Sequence, residues 1–303
     1  MRKSVIVNFH KVDDQHWFEQ EILALKSRYR LIAIQELEEI QSTGKKPKNL
    51  CHITFDDGDQ TFYKIAYPIL VKHQVPVSHF VSPKIISERS NFWFQETEDY
   101  DQQTMRKIVL KELNLNPEKV AKIPFSIILK CLTIKQIHEL IRIYQEQTNT
   151  PPKPPQNMSL EELKEVNASG LVTIGAHTMN HPILKNEPDQ SSEEEISASI
   201  QELAKLLNQP IHYFAYPNGH SKMDFSDREI NFLKAQNIRL AFSTDPRHLK
   251  QGDDPYRLPR MGLSPRNPMN QLKLRFGANW ELVRALFTKS ALNLRNQVYD
   301  MIN

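Results

Sequence analysis

Segments rich in β-branched and aromatic residues alternate along this chain with segments whose apolar residues recur every three or four positions. The first pattern is typical of strands and the second of amphipathic helices. Candidate strands cover residues 4–8, 30–34, 51–55, 77–81, 171–175, 212–216 and 238–243. Strands and helices in alternation favour parallel βα units, and α/β barrels of about 300 residues commonly form one domain.

Two helices between these strands have clear boundaries. Residues 193–207 carry Ile196, Ile200, Leu203 and Leu207 at helical spacing. Ser192 and Glu195 before this apolar run predict a capping box at its start. Residues 159–168 begin in the same way, with Ser159 and Glu162, and we expect that helix to end at Gly170.

Residues 84–158 interrupt the alternation with a mostly helical stretch, which we interpret as an insertion over the mouth of the site. The stretch ends in the proline-rich residues 150–155, which predict a stiff linker. Within it, residues 91–94 read Asn-Phe-Trp-Phe. Aromatic rings in such a cluster either stack on a sugar or belong to the core, and we favour the core.

The tail from 268 to 303 is separate from the barrel residues 1–267. Its apolar residues, such as Leu272, Leu274 and Phe276, are mixed with many basic residues and few acidic ones. A basic amphipathic helix can bind the surface of an anionic membrane, which would be a peripheral association. It can also pack on the barrel or on a second subunit, and packing is the interpretation we favour.

Composition excludes several classes of protein. The 303 residues have a mean hydropathy of −0.54 and no apolar run of transmembrane length. A net charge of +3 is too small to indicate a nucleic-acid partner. Cys51 and Cys131 lie in different settings, so we expect reduced thiols and no disulfide. The short apolar run after Arg2 and Lys3 does not resemble a signal peptide, so we expect a cytoplasmic protein acting on a lipid-linked or nucleotide-linked sugar.

The first chemical motif is Ile-Thr-Phe-Asp-Asp-Gly at residues 53–58, where a strand ends in Asp56 and Asp57. Neighbouring side chains converge where the backbone turns at a strand end, and Gly58 permits that turn. Two adjacent carboxylates are unfavourable unless a cation binds between them or one of them is protonated. The motif therefore predicts either a metal site or, in the simpler interpretation, a solvated turn.

The second motif is Gly-Ala-His-Thr-Met-Asn-His-Pro at residues 175–182, directly after a β-branched run. Pro182 makes a long helix after it unfavourable, so His177 and His181 belong to a loop at the end of a strand. Together with Asp57 they form a two-histidine, one-carboxylate set. Such a set suits zinc or another borderline first-row ion such as cobalt, nickel or iron, and it leaves a coordination position for water. Two histidines with local hydrogen bonds are the alternative.

The third motif is Tyr-Phe-Ala-Tyr-Pro-Asn-Gly at residues 213–219, an apolar strand that stops at Pro217 and Gly219. A turn of this type frees backbone N–H groups from the sheet, and one of them can stabilise a developing oxyanion. An ordinary turn has the same sequence pattern.

In this order and at strand ends, the three motifs resemble those of the polysaccharide deacetylases of carbohydrate esterase family 4. The resemblance spans roughly residues 1–265, and it implies a distorted (β/α)7 barrel. By the same resemblance Asp56 is the catalytic base, Asp57, His177 and His181 are the metal ligands, and the backbone N–H of Asn218 binds the oxyanion.

Asn218 stands where the family's third motif usually has tyrosine, and asparagine can substitute because the backbone N–H does the work. Two other features also depart from the family pattern. The third-motif arginine that orients the base in many members is replaced by Ala215, and we expect Arg260 to take its place. The late histidine that serves as general acid in many members has no copy here. The segment Ser-Val-Ile-Val-Asn-Phe-His at residues 4–10 resembles the start of biofilm-polysaccharide deacetylases, and this predicts His10 as the acid.

The resemblance implies metal-assisted hydrolysis of the N-acetyl group of an amino sugar in a polysaccharide, an oligosaccharide or a lipid-linked precursor. Asp56 would accept a proton from water, and His10 would protonate the departing amine. The alternatives are a metal-dependent amidase acting on a cyclic amide and a sugar-binding homologue without activity. The oligomeric state is not predicted.

Overall fold

The computed structural model describes residues 3–265 and 280–302. Its centre is a curled sheet in which every pair of strands is parallel. The strands are β1 (Val5–Phe9), β2 (Arg30–Leu31), β3 (Leu50–Phe55), β4 (Val77–Val81), β5 (Val172–Ala176), β6 (Tyr213–Ala215), β7 (Leu240–Phe242) and β8 (Met261–Gly262). Their order is β7-β6-β5-β4-β3-β1-β8, with β2 paired to the start of β3.

The segment 258–262 closes the sheet into a barrel. Leu258 bridges Phe242 of β7, and Met261 of β8 pairs with Val7 of β1. Backbone hydrogen bonds fix the junction, since the Leu258 N–H donates to the Ala241 carbonyl at 2.9 Å. Seven strands thus surround the barrel axis, which confirms the expected distorted (β/α)7 architecture.

Strand residues are buried on both faces, as parallel strands covered by helices require. Alternate residues of β1 belong to two different apolar clusters. Val5, Val7 and Phe9 of β1 belong to the large core between strands and helices. Ile6 belongs to the cluster that fills the barrel, together with Phe80 of β4 and residues of β6 and β7. The period of two therefore sets which residues face the barrel interior.

Helices cover the outside of the barrel and build the insertion. They are α1 (Gln15–Arg28), α2 (Ile34–Ser42), α3 (Tyr67–His73), α4 (Pro83–Glu88), α5 (Trp93–Thr97), α6 (Gln102–Glu112), α7 (Pro117–Val120), α8 (Phe125–Leu129), α9 (Ile134–Thr148), α10 (Leu160–Ala168), α11 (Asp189–Leu207), α12 (Asp227–Ala235) and α13 (Trp280–Ile302). One π-helical turn, Phe62–Ala66, leads into α3, and one 3₁₀ turn, Leu184–Asn186, precedes α11.

One of the two predicted capping boxes is confirmed and the other is wrong. Ser159 caps α10, and the Glu162 carboxylate accepts from the Ser159 N–H at 2.8 Å. Helix α11 instead begins at Asp189, so Ser192 and Glu195 lie inside it. Tertiary partners bind both side chains, because the Ser192 hydroxyl donates to Glu229 at 2.9 Å and Glu195 holds a loop described below.

The insertion and the C-terminal helix share a second apolar core. Residues from α5 to α9 pack there against α13, in which Val298 is fully buried. Arg295 of α13 forms a buried ion pair with Asp224, with Nη1 and Oδ1 2.5 Å apart. The described part of α13 therefore packs on the insertion, in line with the interpretation favoured from the sequence. Residues 268–279 of the predicted tail lie outside the described residues, and peripheral membrane association stays a prediction.

The aromatic segment 91–94 is largely core. Phe92 and Trp93 are buried, and the Asn91 side chain donates to the backbone carbonyls of Lys153 and Pro154. Cys51 and Cys131 are both buried free thiols, as expected. Within the described residues, every helix is too short or too polar to cross a membrane.

Candidate metal centre and active site

The carboxyl ends of the parallel strands place the predicted chemical residues at one mouth of the barrel. His10 follows β1, Asp56 and Asp57 follow β3, and His177 follows β5. Strand β1 is in register with β3, so the Asp56 N–H donates to the Phe9 carbonyl at 3.1 Å. In α/β barrels this mouth is where active sites are built.

Asp57, His177 and His181 converge on one point. Nε2 of His177 and Nε2 of His181 lie 3.5 Å and 3.6 Å from Oδ1 of Asp57. One ligand atom from each of the three residues lies within 4.8 Å of the others, and all three side chains are buried. The structure therefore brings together the three ligands that the sequence predicted.

The arrangement fits a divalent cation. Asp57 Oδ1 is buried and has no hydrogen-bond partner among the described residues, which is unfavourable for a carboxylate oxygen. Ligand atoms about 2.1 Å from a tetrahedral zinc ion lie about 3.4 Å from one another. Both measured contacts are close to that separation, and neither is short enough for a good hydrogen bond.

Surrounding groups set the orientation and charge of the imidazoles. His177 Nδ1 lies 2.7 Å from the Ala215 carbonyl, so Nδ1 carries the proton and Nε2 is left for a metal. Burial lowers the pKa of His181 to about 3, which keeps this ring neutral, as coordination requires. Burial by itself would raise the pKa of Asp57, but the neighbouring imidazoles hold it below its usual value.

Arg260 lies beside Asp56. Its Nη1 is 2.6 Å from Oδ1 of Asp56 and 3.3 Å from the Thr54 hydroxyl, and its Nε donates to the Ser243 carbonyl at 3.0 Å. Both members of the pair are buried. Burial would raise the pKa of Asp56, but Arg260, with smaller contributions from His177 and His10, outweighs burial and lowers that pKa. Asp56 is thus an ionised carboxylate with one oxygen fixed.

His10 and Asn218 complete the predicted set. Nε2 of His10 lies 3.8 Å from Oδ2 of Asp56, the oxygen that Arg260 does not hold, and the His10 side chain is half-exposed. Asn218 follows β6 at a turn in which the Gly219 N–H donates to the Pro217 carbonyl. The Thr244 hydroxyl donates to the Asn218 carbonyl, which fixes the plane of the peptide that follows Asn218.

Four residues at this mouth have a left-handed backbone conformation. Asp57, Thr178, His181 and Asn218 all have positive φ, at 75°, 64°, 56° and 56°. Such conformations cost about 1–3 kcal/mol each for residues other than glycine, and they persist only where surrounding contacts hold them. Their coincidence with the predicted ligands and oxyanion position supports a functional site here.

Glu195 and Trp93 contact the metal-ligand loop, and the sequence did not predict either contact. Glu195 accepts backbone N–H groups of the loop, and the Trp93 indole donates to the His181 carbonyl at 3.0 Å. The one available signal for Glu195 was its spacing, since Ser192, Glu195 and Ser199 form a polar stripe beside the apolar one. Trp93 also shows that the start of the insertion lies beside the site.

Comparison with curated proteins finds deacetylases. Over 176 residues the chain is 28% identical to the poly-β-1,6-N-acetyl-D-glucosamine N-deacetylase of Staphylococcus aureus, covering 52% of this chain and 58% of that protein. Over 264 residues it is 24% identical to the Staphylococcus epidermidis enzyme of the same name, covering 84% of this chain and 68% of that protein. The chain thus spans less than two thirds of the length of the S. aureus relatives.

Solved structures support the same fold. IcaB from Ammonifex degensii superposes with a TM-score of 0.61 at 20% identity, over 88% of this chain and 94% of that one. The Streptococcus pyogenes deacetylase PplD superposes with a TM-score of 0.58 at 18% identity, over 90% and 96%. The polysaccharide deacetylase family model matches residues 43–240, more than half of the chain and both ligand motifs. With the barrel, the ligand set and this match in agreement, the chain belongs to the polysaccharide deacetylase family.

Proposed function

We propose that this protein is a metal-dependent N-deacetylase that hydrolyses the N-acetyl group of an amino sugar in a polymer or oligomer. The observation that carries the proposal is the convergence of Asp57, His177 and His181 beside the ionised carboxylate of Asp56. The relatives that act on poly-β-1,6-N-acetyl-D-glucosamine make a polymer of N-acetylglucosamine the first substrate to test.

Asp57, His177 and His181 would hold the ion, and zinc suits two imidazoles and a carboxylate, with cobalt, nickel or iron as ions of similar preference. When bound, such an ion acidifies water and polarises a carbonyl group. The imidazole of His177 is already oriented for this task by its hydrogen bond to the Ala215 carbonyl.

Asp56 is the proposed general base. Arg260 fixes Oδ1, and Oδ2 remains to accept a proton from the attacking water. Because the Arg260 charge lowers the pKa of Asp56, the base is ionised at neutral pH and ready to accept. We assign Arg260 the positioning role that the third-motif arginine has in many family members.

His10 is the proposed general acid. Its Nε2 lies 3.8 Å from Asp56 Oδ2, close enough for both side chains to contact one substrate amide. An amine is a poor leaving group, so a proton from His10 Nε2 must reach the nitrogen as the bond breaks. The Asn218 N–H, at the turn after β6, is the proposed donor to the developing oxyanion.

An acetate-release assay tests the proposal. The purified protein is loaded with zinc and incubated with oligomers of β-1,6-linked N-acetylglucosamine, with β-1,4-linked oligomers and with a cyclic amide. We expect acetate from an N-acetylglucosamine oligomer, loss of activity with a chelator, and recovery when zinc is added back. Absence of acetate from every sugar, with the metal bound, would contradict the proposal, and hydrolysis of the cyclic amide alone would assign another amidase reaction.

A further inference from the structure

The loop 177–181 carries both imidazoles in a conformation that its own sequence does not favour. Thr178 and His181 have φ of 64° and 56°, and Thr178 is β-branched, for which positive φ is a genuine outlier. Inside the loop, the Thr178 hydroxyl donates to the His177 carbonyl and accepts from the His181 N–H at 3.1 Å. Contacts from outside the loop must supply the rest of its stability.

Glu195 of α11 makes the largest set of these contacts. Its Oε2 accepts from the backbone N–H groups of Met179 and Asn180 at 3.0 Å and 2.9 Å. Its Oε1 accepts from the Asn180 side chain at 2.5 Å. Three N–H donors thus converge on a carboxylate that is 7% exposed, and an ionised carboxylate, which only accepts, matches all three.

Two other residues, on different elements, donate to backbone carbonyl groups of the same loop. The Ser82 hydroxyl, at the N-cap of α4, donates to the Met179 carbonyl at 2.5 Å. The Trp93 indole donates to the His181 carbonyl at 3.0 Å. The backbone between the two imidazoles is therefore fixed on its N–H side by Glu195 and on its carbonyl side by Ser82 and Trp93.

We infer that Glu195 is a positioning residue for the metal centre, and that it holds His181 in place for coordination before an ion binds. The inference rests on the proposed function, since it assumes that His177 and His181 are ligands. Without Glu195 the loop would relax from its left-handed conformations, and metal binding would then have to reorder it. Residues of this kind behind metal ligands typically change metal affinity by about 10- to 100-fold.

A purely structural role for Glu195 makes a different prediction. In that case its removal would lower the stability of the metal-free protein and leave the metal dissociation constant of the folded fraction unchanged. A positioning role lowers metal affinity in protein that is fully folded. The two roles are separated by measuring affinity and metal-free stability on the same samples.

The experiment compares Glu195→Ala, Glu195→Gln and the control Glu194→Ala. Glu194 is exposed and lies next to Glu195 on the same helix. Metal-free proteins are titrated with zinc against a chromophoric chelator, and their thermal unfolding is recorded. We expect about 10- to 100-fold weaker binding in Glu195→Ala. Glu195→Gln keeps an oxygen for both backbone N–H groups, so its affinity stays within about threefold of native, and Glu194→Ala binds as the native protein does.

Equal zinc affinity in folded Glu195→Ala and native protein would overturn the inference and leave the proposed function intact. If native protein does not bind zinc, the metal centre itself is rejected, and the inference with it. Should Glu195→Ala not fold, Glu195→Asp replaces it. That variant keeps the charge but withdraws the carboxylate by one methylene, so we expect weakened binding, and native affinity in it would overturn the inference.

Discussion

Replacing Arg260 with glutamine removes the cation that faces the proposed base. Arg260 is fully buried, and its Nη1 lies 2.6 Å from Asp56 Oδ1. Glutamine is shorter and neutral, so Asp56 would remain buried without its arginine partner. An uncompensated buried carboxylate is among the most unfavourable groups in a protein interior.

The expected loss of stability in Arg260→Gln can be estimated from the buried ion pair between Arg260 and Asp56. An arginine next to a carboxylate typically lowers its pKa by about 1–3 units, and each unit corresponds to about 1.4 kcal/mol. Removing one partner of a buried pair typically destabilises by about 3–5 kcal/mol. We therefore expect Arg260→Gln to lower the free energy of unfolding by about 2–4 kcal/mol at pH 7.

The loss depends on pH in a direction that the pKa shift fixes. In the native protein the pKa of Asp56 is lowered, so its ionised form stabilises the fold above the unfolded pKa, and this contribution disappears as pH falls through the folded pKa. In Arg260→Gln, the effect of burial is opposed only by His177 and His10, so the pKa of Asp56 is higher than in the native protein. The difference in stability between the two proteins is thus largest at neutral pH and decreases toward acid pH, where Asp56 of the variant is protonated.

Urea unfolding of metal-free protein at pH 7 and near pH 4.5 measures the loss of stability in Arg260→Gln. The pH profile of kcat/KM measures the change in the Asp56 pKa. We expect the acid limb of that profile to move up by about 1–3 pH units. The matched control is Arg257→Gln, because Arg257 is partly exposed and forms a surface ion pair with Asp227, and such pairs contribute about 0–1 kcal/mol. An Arg260→Gln variant with native stability at both pH values and an unshifted acid limb would refute the reasoning.

Three further predictions concern the site and the barrel. Asp56→Asn and His10→Ala should each retain zinc in a chelator competition but lose about 100-fold or more in kcat/KM, and near-native turnover in either variant would reject its assigned role. Zinc at 100 times its dissociation constant should stabilise the protein by about 2.7 kcal/mol in thermal unfolding, whereas an unchanged Tm would reject binding to the native state. Gly175→Ala should destabilise by about 1–3 kcal/mol, because its Cβ would lie 2.5 Å from the Phe80 ring and 2.8 Å from the Tyr213 carbonyl oxygen, and wild-type stability would contradict that packing.

The sequence predicted the strands whose side chains are buried on both faces. All seven predicted strands occur, with bounds shifted by a few residues, because continuous β-branched and aromatic runs leave few alternatives. The strand predicted at 30–34 is reduced to Arg30–Leu31, since Ile34 starts a helix in which Leu37 and Ile40 repeat at helical spacing.

Strand β8 was missed for a physical reason. It has two residues, Met261–Gly262, and it follows Pro259, which has no N–H to donate to a ladder. No alternating pattern marks it, and its neighbours in the barrel come from opposite ends of the chain. The position of Arg260 beside Asp56 depends on this closing segment, so only the family resemblance pointed to that residue.

Some residues of the site could be predicted from local sequence motifs, and others only from the three-dimensional structure. Asp56, Asp57, His177 and His181 belong to compact motifs at strand ends, so the sequence alone indicated them. Glu195 is one of many acidic residues on an amphipathic helix, and its role depends on which loop faces it in three dimensions. Local capping chemistry gave the wrong interpretation of Glu195 because tertiary hydrogen bonds replaced the capping ones.

The central claim is that Asp57, His177 and His181 bind one divalent ion at the mouth of the barrel. An anomalous-difference map from crystals of the zinc-loaded protein, measured on both sides of the zinc absorption edge, tests this most directly. We expect a single strong peak within about 2.3 Å of Asp57 Oδ1 and of Nε2 of both histidines. A map without a peak among these three side chains, or with the zinc peak elsewhere, would contradict the account.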